Sequence, residues 1–147
     1  DPELSKFRNR KFGFIFQLPS LLPTLTVLEI LLVPALFRGR STEVYKKAFN
    51  LLRQVGLSEK YNAYPHQLSS GQQRRVAIAR ALINDPEIIL ADEPTGDLDE
   101  ETEREIMEFI AEINRQGVTV LLITHNPQLS KYANRRFKMA KGKVTEI

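Results

Sequence analysis

The stretch "IILADEPTGDLD", residues 88–99, decides how the rest of the chain is read. Three bulky apolar residues and Ala91 run straight into Asp92 and Glu93, followed by Pro94 and two further acids, Asp97 and Asp99. A short apolar run that stops at paired carboxylates reads as a buried strand delivering acids to its carboxyl end. Downstream, "EETEREIMEFIAEINRQG" (100–117) carries Ile106, Phe109, Ile110 and Ile113 at helical spacing and closes at Gly117. It feeds the apolar run "VTVLLIT" (118–124). The three segments form a βαβ unit, and its right-handed crossover makes the strands parallel. Asp92 and Glu93 therefore emerge on the same sheet edge as His125, the edge where open α/β sheets bind ligands.

Working back toward the amino terminus, "LSSGQQRRVAIARALI" (68–83) starts with Ser69 or Ser70 placed to cap a helix whose buried face is Val76, Ala79 and Ile83. Residues 18–67 read as helical. "TVLEILLVPALF" (26–37) opens with Thr26 and Glu29 in capping-box spacing, and Pro34 is expected to bend or end it. A second helix over about 42–55 puts Val44, Ala48, Leu51, Leu52 and Val55 on one face and stops at Gly56. Before it, "KFGFIFQ" (11–17) is a short β-rich run with Gln17 at its end. The expected organisation is a core strand in 1–17, a helical subdomain in 18–67, and the rest of an α/β core in 68–147.

Composition bounds the class. A chain of 147 residues with 42% hydrophobic and 27% charged side chains has ordinary globular values, enough for one core. Its longest apolar stretch, "ILLVPALF" at 30–37, is far short of the roughly 20 residues that span a bilayer. With no cysteine there are no disulfides and no thiolate metal sites, which fits a reducing, cytosolic setting. The net charge of +3 is spread in ones and twos without interleaved aromatics, so no nucleic-acid partner is expected. The chain opens on Asp1 with no signal-peptide pattern, which reads as a cut start.

Singly, each candidate residue has an ordinary explanation. Paired acids often cap a loop, His125 in "THNP" fits a turn, Gln17 fits a surface amide, and "LSSGQ" fits a well-capped helix start. Their order argues otherwise: a strand-end amide, a capped helix start, strand-end acids and a strand-end histidine are all compatible with one edge. "LSSGQQRRVAIARAL", then "IILADEPTGDLD", then "LLITHN", with "FGFIFQ" upstream, resembles the nucleotide-binding domain of ABC transporters. In that family these are the signature motif, the Walker B segment with its D-loop, the switch histidine and the Q-loop. The wording is most similar to ATPases of the lipoprotein-release and macrolide-export type.

The resemblance implies a P-loop NTPase-like, mostly parallel sheet with an inserted helical subdomain, and ATP and Mg²⁺ as cofactors. It implies that Asp92 helps hold Mg²⁺ through water, that Glu93 is the general base, and that Gln17 reaches both the metal and the attacking water. It further implies that His125 contacts the γ-phosphate. Ser69, Gly71 and Gln72, at a helix N-terminus suited to an anion, would face ATP held by a second copy arranged head to tail, with Asp99 on the shared interface. Transmembrane permease subunits would complete the assembly at the inner face of the membrane. A non-transport ABC ATPase acting on DNA or ribosomes, or a non-catalytic interaction fragment, are the alternatives; the 50 residues or so between Gln17 and the signature leave no room for the long coiled coil of DNA-associated members.

Two departures stand out. The family's phosphate loop, G-x-x-x-x-G-K-S/T, is absent: Gly142 is followed by Lys143, but then comes Val144, and Phe137 occupies the first glycine position. The resemblance thus implies an incomplete piece of the domain, lacking that loop and inactive by itself. Ser70 stands where the signature usually has glycine. Finally, without the strand that carries the phosphate loop, "VTVLLIT" has an unpaired edge, which either takes a strand near 136–140 or self-associates.

Overall fold

The computed structural model describes residues 1–39 and 41–147; Arg40, inside the helical stretch 18–67, lies outside the described residues. Three strands form the central sheet: β1 (Phe12–Ile15), β2 (Ile88–Asp92) and β3 (Thr119–Ile123), in that order and all parallel. The register aligns Phe14 with Leu90 and Leu90 with Leu121, and it sets Asp92 beside Ile123 at the carboxyl end. Side chains alternate along each strand, so the two faces have different fates. Ile15, Ile89 and Ala91 are buried beneath α4 (Ser70–Leu82) and α5 (Glu100–Arg115), in a cluster with Ile78, Ile106, Met107, Ile110 and Ile113. On the opposite face Phe12, Phe14, Ile88 and Leu90 are half-buried, while Leu121 and Ile123 are exposed.

Gly13 shows how closely β1 lies on α4. A Cβ there would stand 2.6 Å from the Ala81 carbonyl oxygen, which is backbone and cannot step aside.

A second cluster holds the helical region. α2 (Val27–Leu32) begins with the anticipated capping box: Thr26 Oγ1 accepts from the Glu29 amide at 3.4 Å, and the Glu29 carboxylate accepts from the Thr26 amide at 2.8 Å. Pro34 does end it, the chain tightening into a 3₁₀ turn over Val33–Arg38. α3 (Thr42–Gln54) is capped by Ser41 and buries Ala48, Leu51 and Leu52. These meet Val27, Ile30, Leu31, Val55, Leu57 and Leu68, with Val76, Ala79 and Ile83 from the α4 segment. α4 thus turns one side to the helices and the other to the sheet.

One expectation needs correction, and one of two alternatives falls away. Residues 2–11 form α1 (Pro2–Lys11), capped by Asp1, ahead of the strand. None of its residues is buried, and Leu4 and Phe7 are both about half exposed, so no apolar stripe announces it. At the other end, β4 (Phe137–Ala140) pairs with β5 (Lys143–Glu146) rather than with β3. The pairing is antiparallel and closes through a tight turn at Lys141 and Gly142, both at positive φ. A two-residue loop satisfies the backbone locally, whereas reaching β3 would require closing a much longer one. The outer edge of β3 therefore has no strand neighbour among the described residues.

Candidate functional site

The carboxyl ends of β2 and β3 are tied together by one side chain. Glu93 follows β2 directly and sits at φ +45°, a left-handed conformation that is uncommon for a residue with a Cβ. Its amide donates to the Ile123 carbonyl at 2.9 Å, which extends the β2–β3 ladder by one bond. Its carboxylate then accepts from the His125 amide (2.7 Å), from His125 Nδ1 (2.7 Å) and from Thr124 Oγ1 (3.1 Å). Backbone held in a sparsely populated region and overdetermined by its surroundings is a mark of functional segments.

This arrangement fixes the chemistry of both partners. Burial pushes the Glu93 carboxyl up, but the hydrogen bonds from His125 and Thr124 outweigh it and leave the group below its ordinary value, hence ionised at neutral pH. A carboxylate can only accept, so the short contact requires His125 to carry its proton on Nδ1. Nε2 is then free to face outward, and the His125 side chain is 86% exposed.

Asp92, the last residue of β2, is exposed beside this pair. Gln17 also reaches the same loop: its Cγ and Nε2 lie 3.4 Å from where a Gly96 side chain would begin. Asp92, Glu93, His125 and Gln17 are thus gathered at the carboxyl end of the sheet.

The helix start and the D-loop form a second group. Ser69 caps α4, its Oγ accepting from the Gln72 amide at 3.2 Å while Gln72 Oε1 accepts from the Ser69 amide at 3.0 Å. Gly71 is buried, and a Cβ on it would approach Thr102 Cγ2 to 2.7 Å. Thr102 is in turn gripped by Asp99, the N-cap of α5, through its amide (3.0 Å) and its hydroxyl (2.7 Å). Those bonds hold the Asp99 carboxyl below its ordinary value. Ser69, Gly71, Gln72 and Asp99 therefore lie together where α4 and α5 begin, with Gly71 buried beneath the group.

Several residues around the site escaped the sequence reading. Thr95, buried, donates to Glu103 Oε2 at 3.1 Å, and Asn126 Nδ2 reaches the same oxygen at 3.4 Å, so one acid of α5 braces the loops after both strands. Asn126 also takes up Thr124 Oγ1 and caps the next turn. Arg74, 3% exposed, donates to the carbonyls of Phe16 (2.6 Å) and Gly96 (3.3 Å). Only the position of Arg74 one turn into a capped helix was visible in the sequence.

The donor set suits a hard, oxygen-seeking cation that keeps much of its water. An exposed carboxylate and an amide at a strand end, without a closed cage, match Mg²⁺ shared with substrate phosphates; among the described residues no three His, Cys, Asp or Glu side chains form a self-sufficient metal site.

The family model described as "ABC transporter" matches residues 2–96, well over half the chain, and the chain belongs to that family, within its ATP-binding domain. It is 43% identical over 145 residues to the lipoprotein-releasing system ATP-binding protein LolD of Aquifex aeolicus, covering 98% of this chain and 65% of LolD. It is also 43% identical over 145 residues to the macrolide export ATP-binding/permease protein MacB of Marinobacter nauticus, covering 98% of this chain and 22% of MacB. A solved dimeric structure of the ATP-binding cassette MJ0796, in a post-hydrolysis state bound to ADP and Pi, superposes with a TM-score of 0.85 at 40% identity, covering 99% of this chain and 67% of that one. The architecture is that of the P-loop NTPases seen in such cassettes. The chain spans about two thirds of the length of LolD.

Proposed function

We propose that this chain is part of the ATP-binding and ATP-hydrolysing subunit of an ABC transporter of the lipoprotein-release or macrolide-export kind. Hydrolysis at an interface with a second cassette would be coupled to permease subunits at the inner face of the membrane. Residues 18–67 serve as the helical subdomain, and 1–17 with 68–147 as the catalytic core. The observation that carries the reading is the Glu93 carboxylate locked to His125 and Thr124 across the ends of two parallel strands.

Glu93 is the base that takes a proton from the attacking water, and an ionised carboxylate is the form this requires. His125, its Nδ1 proton fixed by Glu93, turns Nε2 toward the γ-phosphate. Asp92, through water, and Gln17 would hold Mg²⁺, which would neutralise phosphate charge. Ser69, Gly71 and Gln72 offer their helix start to the nucleotide of the second cassette, where the helix dipole favours an anion. Asp99, beside them, lies on the interface with that cassette.

No loop of the G-x-x-x-x-G-K-S/T type is present in the sequence to cradle the phosphates. The 147-residue chain alone should therefore bind ATP·Mg²⁺ weakly or not at all, and calorimetry finding micromolar affinity would overturn that part of the proposal. In an assembly that supplies the loop, Glu93→Gln should lower turnover by about 10²–10⁴-fold while nucleotide binding survives. Near-normal turnover in that variant would remove Glu93 from the role of base.

A further inference from the structure

Arginine is almost never fully buried unless paired. Arg74 is buried, yet among the described residues it joins no ion pair. Its two terminal nitrogens go to main-chain carbonyls, and its Nε has no hydrogen-bond partner. One of those carbonyls belongs to Phe16, the residue before Gln17, and the other to Gly96, three residues after Glu93. The guanidinium therefore bridges the two segments at the point where the Gln17 side chain crosses Gly96. Burial lowers the Arg74 pKa and the charge of Asp97, on the Glu93 loop, pulls it back.

The same helix grips the far end of the segment. Arg80 donates to the carbonyls of Pro19 and Ser20, both at 3.0 Å, and Ser20 is held at φ +48°. The backbone on both sides of Gln17 thus hangs from α4, while β1 ends at Ile15.

We propose that Arg74 is a positioning residue that seats Gln17 against the Glu93 loop, so that α4 rather than β1 sets where Gln17 lies. Its bearing on hydrolysis rests on the proposed catalytic role of Gln17, but its placement does not. A tilt of α4 would carry Gln17 with it, through a clamp made of side chain on one part and main chain on the other.

The test is magnetic resonance on the 147-residue chain without nucleotide. In Arg74→Gln, the nuclear Overhauser signal between the Gln17 side-chain amide and Gly96 should vanish. Amide exchange around residues 17–18 and 96–97 should quicken by about tenfold or more, the effect expected when bonds to a charged donor are removed. Arg80→Gln should keep the Gln17–Gly96 signal and loosen only residues 19–21. A purely structural Arg74 would lower the melting temperature and leave Gln17 against Gly96 in the folded protein, and that result overturns the proposal. Should Arg74→Gln fail to fold, the unmodified chain decides. Separate, slowly exchanging Nη1 and Nη2 resonances with couplings to the Phe16 and Gly96 carbonyls are expected, and one averaged resonance would refute the clamp. If Arg74→Gln moves Gln17 away from Gly96 in this chain and leaves turnover unaffected in an assembly that supplies the phosphate loop, the result counts against the role of Gln17 in hydrolysis while upholding its seating by Arg74.

Discussion

The helical cluster and the sheet cluster differ in how far they close. Around Val27, Leu31, Ala48 and Leu52, all fully buried, the helices surround their apolar residues on every side. The sheet buries one face to the same degree, at Ile15, Ile89 and Ala91, but on the other Phe16, Leu121 and Ile123 are each about half exposed. Helices satisfy their backbone internally and need only one stripe covered. Parallel strands ordinarily need both faces covered and both edges paired. The helical cluster is therefore enclosed at its centre, with Leu22, Leu36 and Phe49 exposed around it, whereas the sheet leaves one face uncovered, and the catalytic candidates sit at the end of that sheet.

Mutations can break this contrast in graded steps. Leu52→Ala in the closed cluster should lower unfolding free energy by about 2–5 kcal/mol, read from urea midpoints, because a fully enclosed site collapses poorly. A loss below about 1 kcal/mol would mean that the helices around Leu52 relax to fill the space.

Gly71→Ala comes next, at about 1–3 kcal/mol, since the new methyl stands 2.7 Å from Thr102 Cγ2 and forces the Thr102 side chain, which Asp99 holds, to shift. Paired Gly71→Ala and Asp99→Ala variants should show non-additive losses; additive ones would deny that the two residues act through the same threonine.

At the open end of the sheet, Glu93 adds a dependence on pH. Its carboxyl lies below its ordinary value in the fold, so its contribution is present above the ordinary carboxylate range and lost as pH falls through the lowered value. The stability difference between the native chain and Glu93→Gln should accordingly shrink as pH drops from about 7 to about 2. A difference that stays constant would show that the hydrogen bonds from His125 and Thr124 do not depend on the ionised form.

The smallest effect belongs to the open face. Leu121→Ala should change stability by no more than about 0.5 kcal/mol. If the unpaired β3 edge recruits a second copy, Leu121→Lys should reduce concentration-dependent mass in sedimentation. Equal sedimentation of the two chains at all concentrations would show the edge to be inert.

What the sequence disclosed followed from pattern strength. Strand β2, helix α5 and strand β3 were legible because apolar periodicity switches from a continuous run to a 3.6-residue repeat and back, and Thr26, Ser69 and Gly117 punctuate the helices. The gathering of Asp92, Glu93 and His125 followed from parallel topology alone. α1 was hidden because it buries nothing. Of the two outcomes left open for the β3 edge, pairing with 136–140 does not occur within the chain, because a local turn competes with a distant edge, and periodicity carries no information about which partner wins. Arg74, Thr95 and Glu103 work through main-chain carbonyls and single oxygens, interactions that leave no spacing to read.

α4 has a consequence for how the protein comes apart. Val76, Ala79 and Ile83 belong to one cluster, Ile78 and Ala81 to the other, and Leu82 touches both. An intermediate that kept the helices but lost the sheet would present Ile78 to water, and the converse would present Val76 and Ala79. Neither half can melt without stripping one flank of the same helix, so the two should share a single cooperative transition. Hydrogen exchange would then find the slowest amides along α4, with protection decaying outward in both directions.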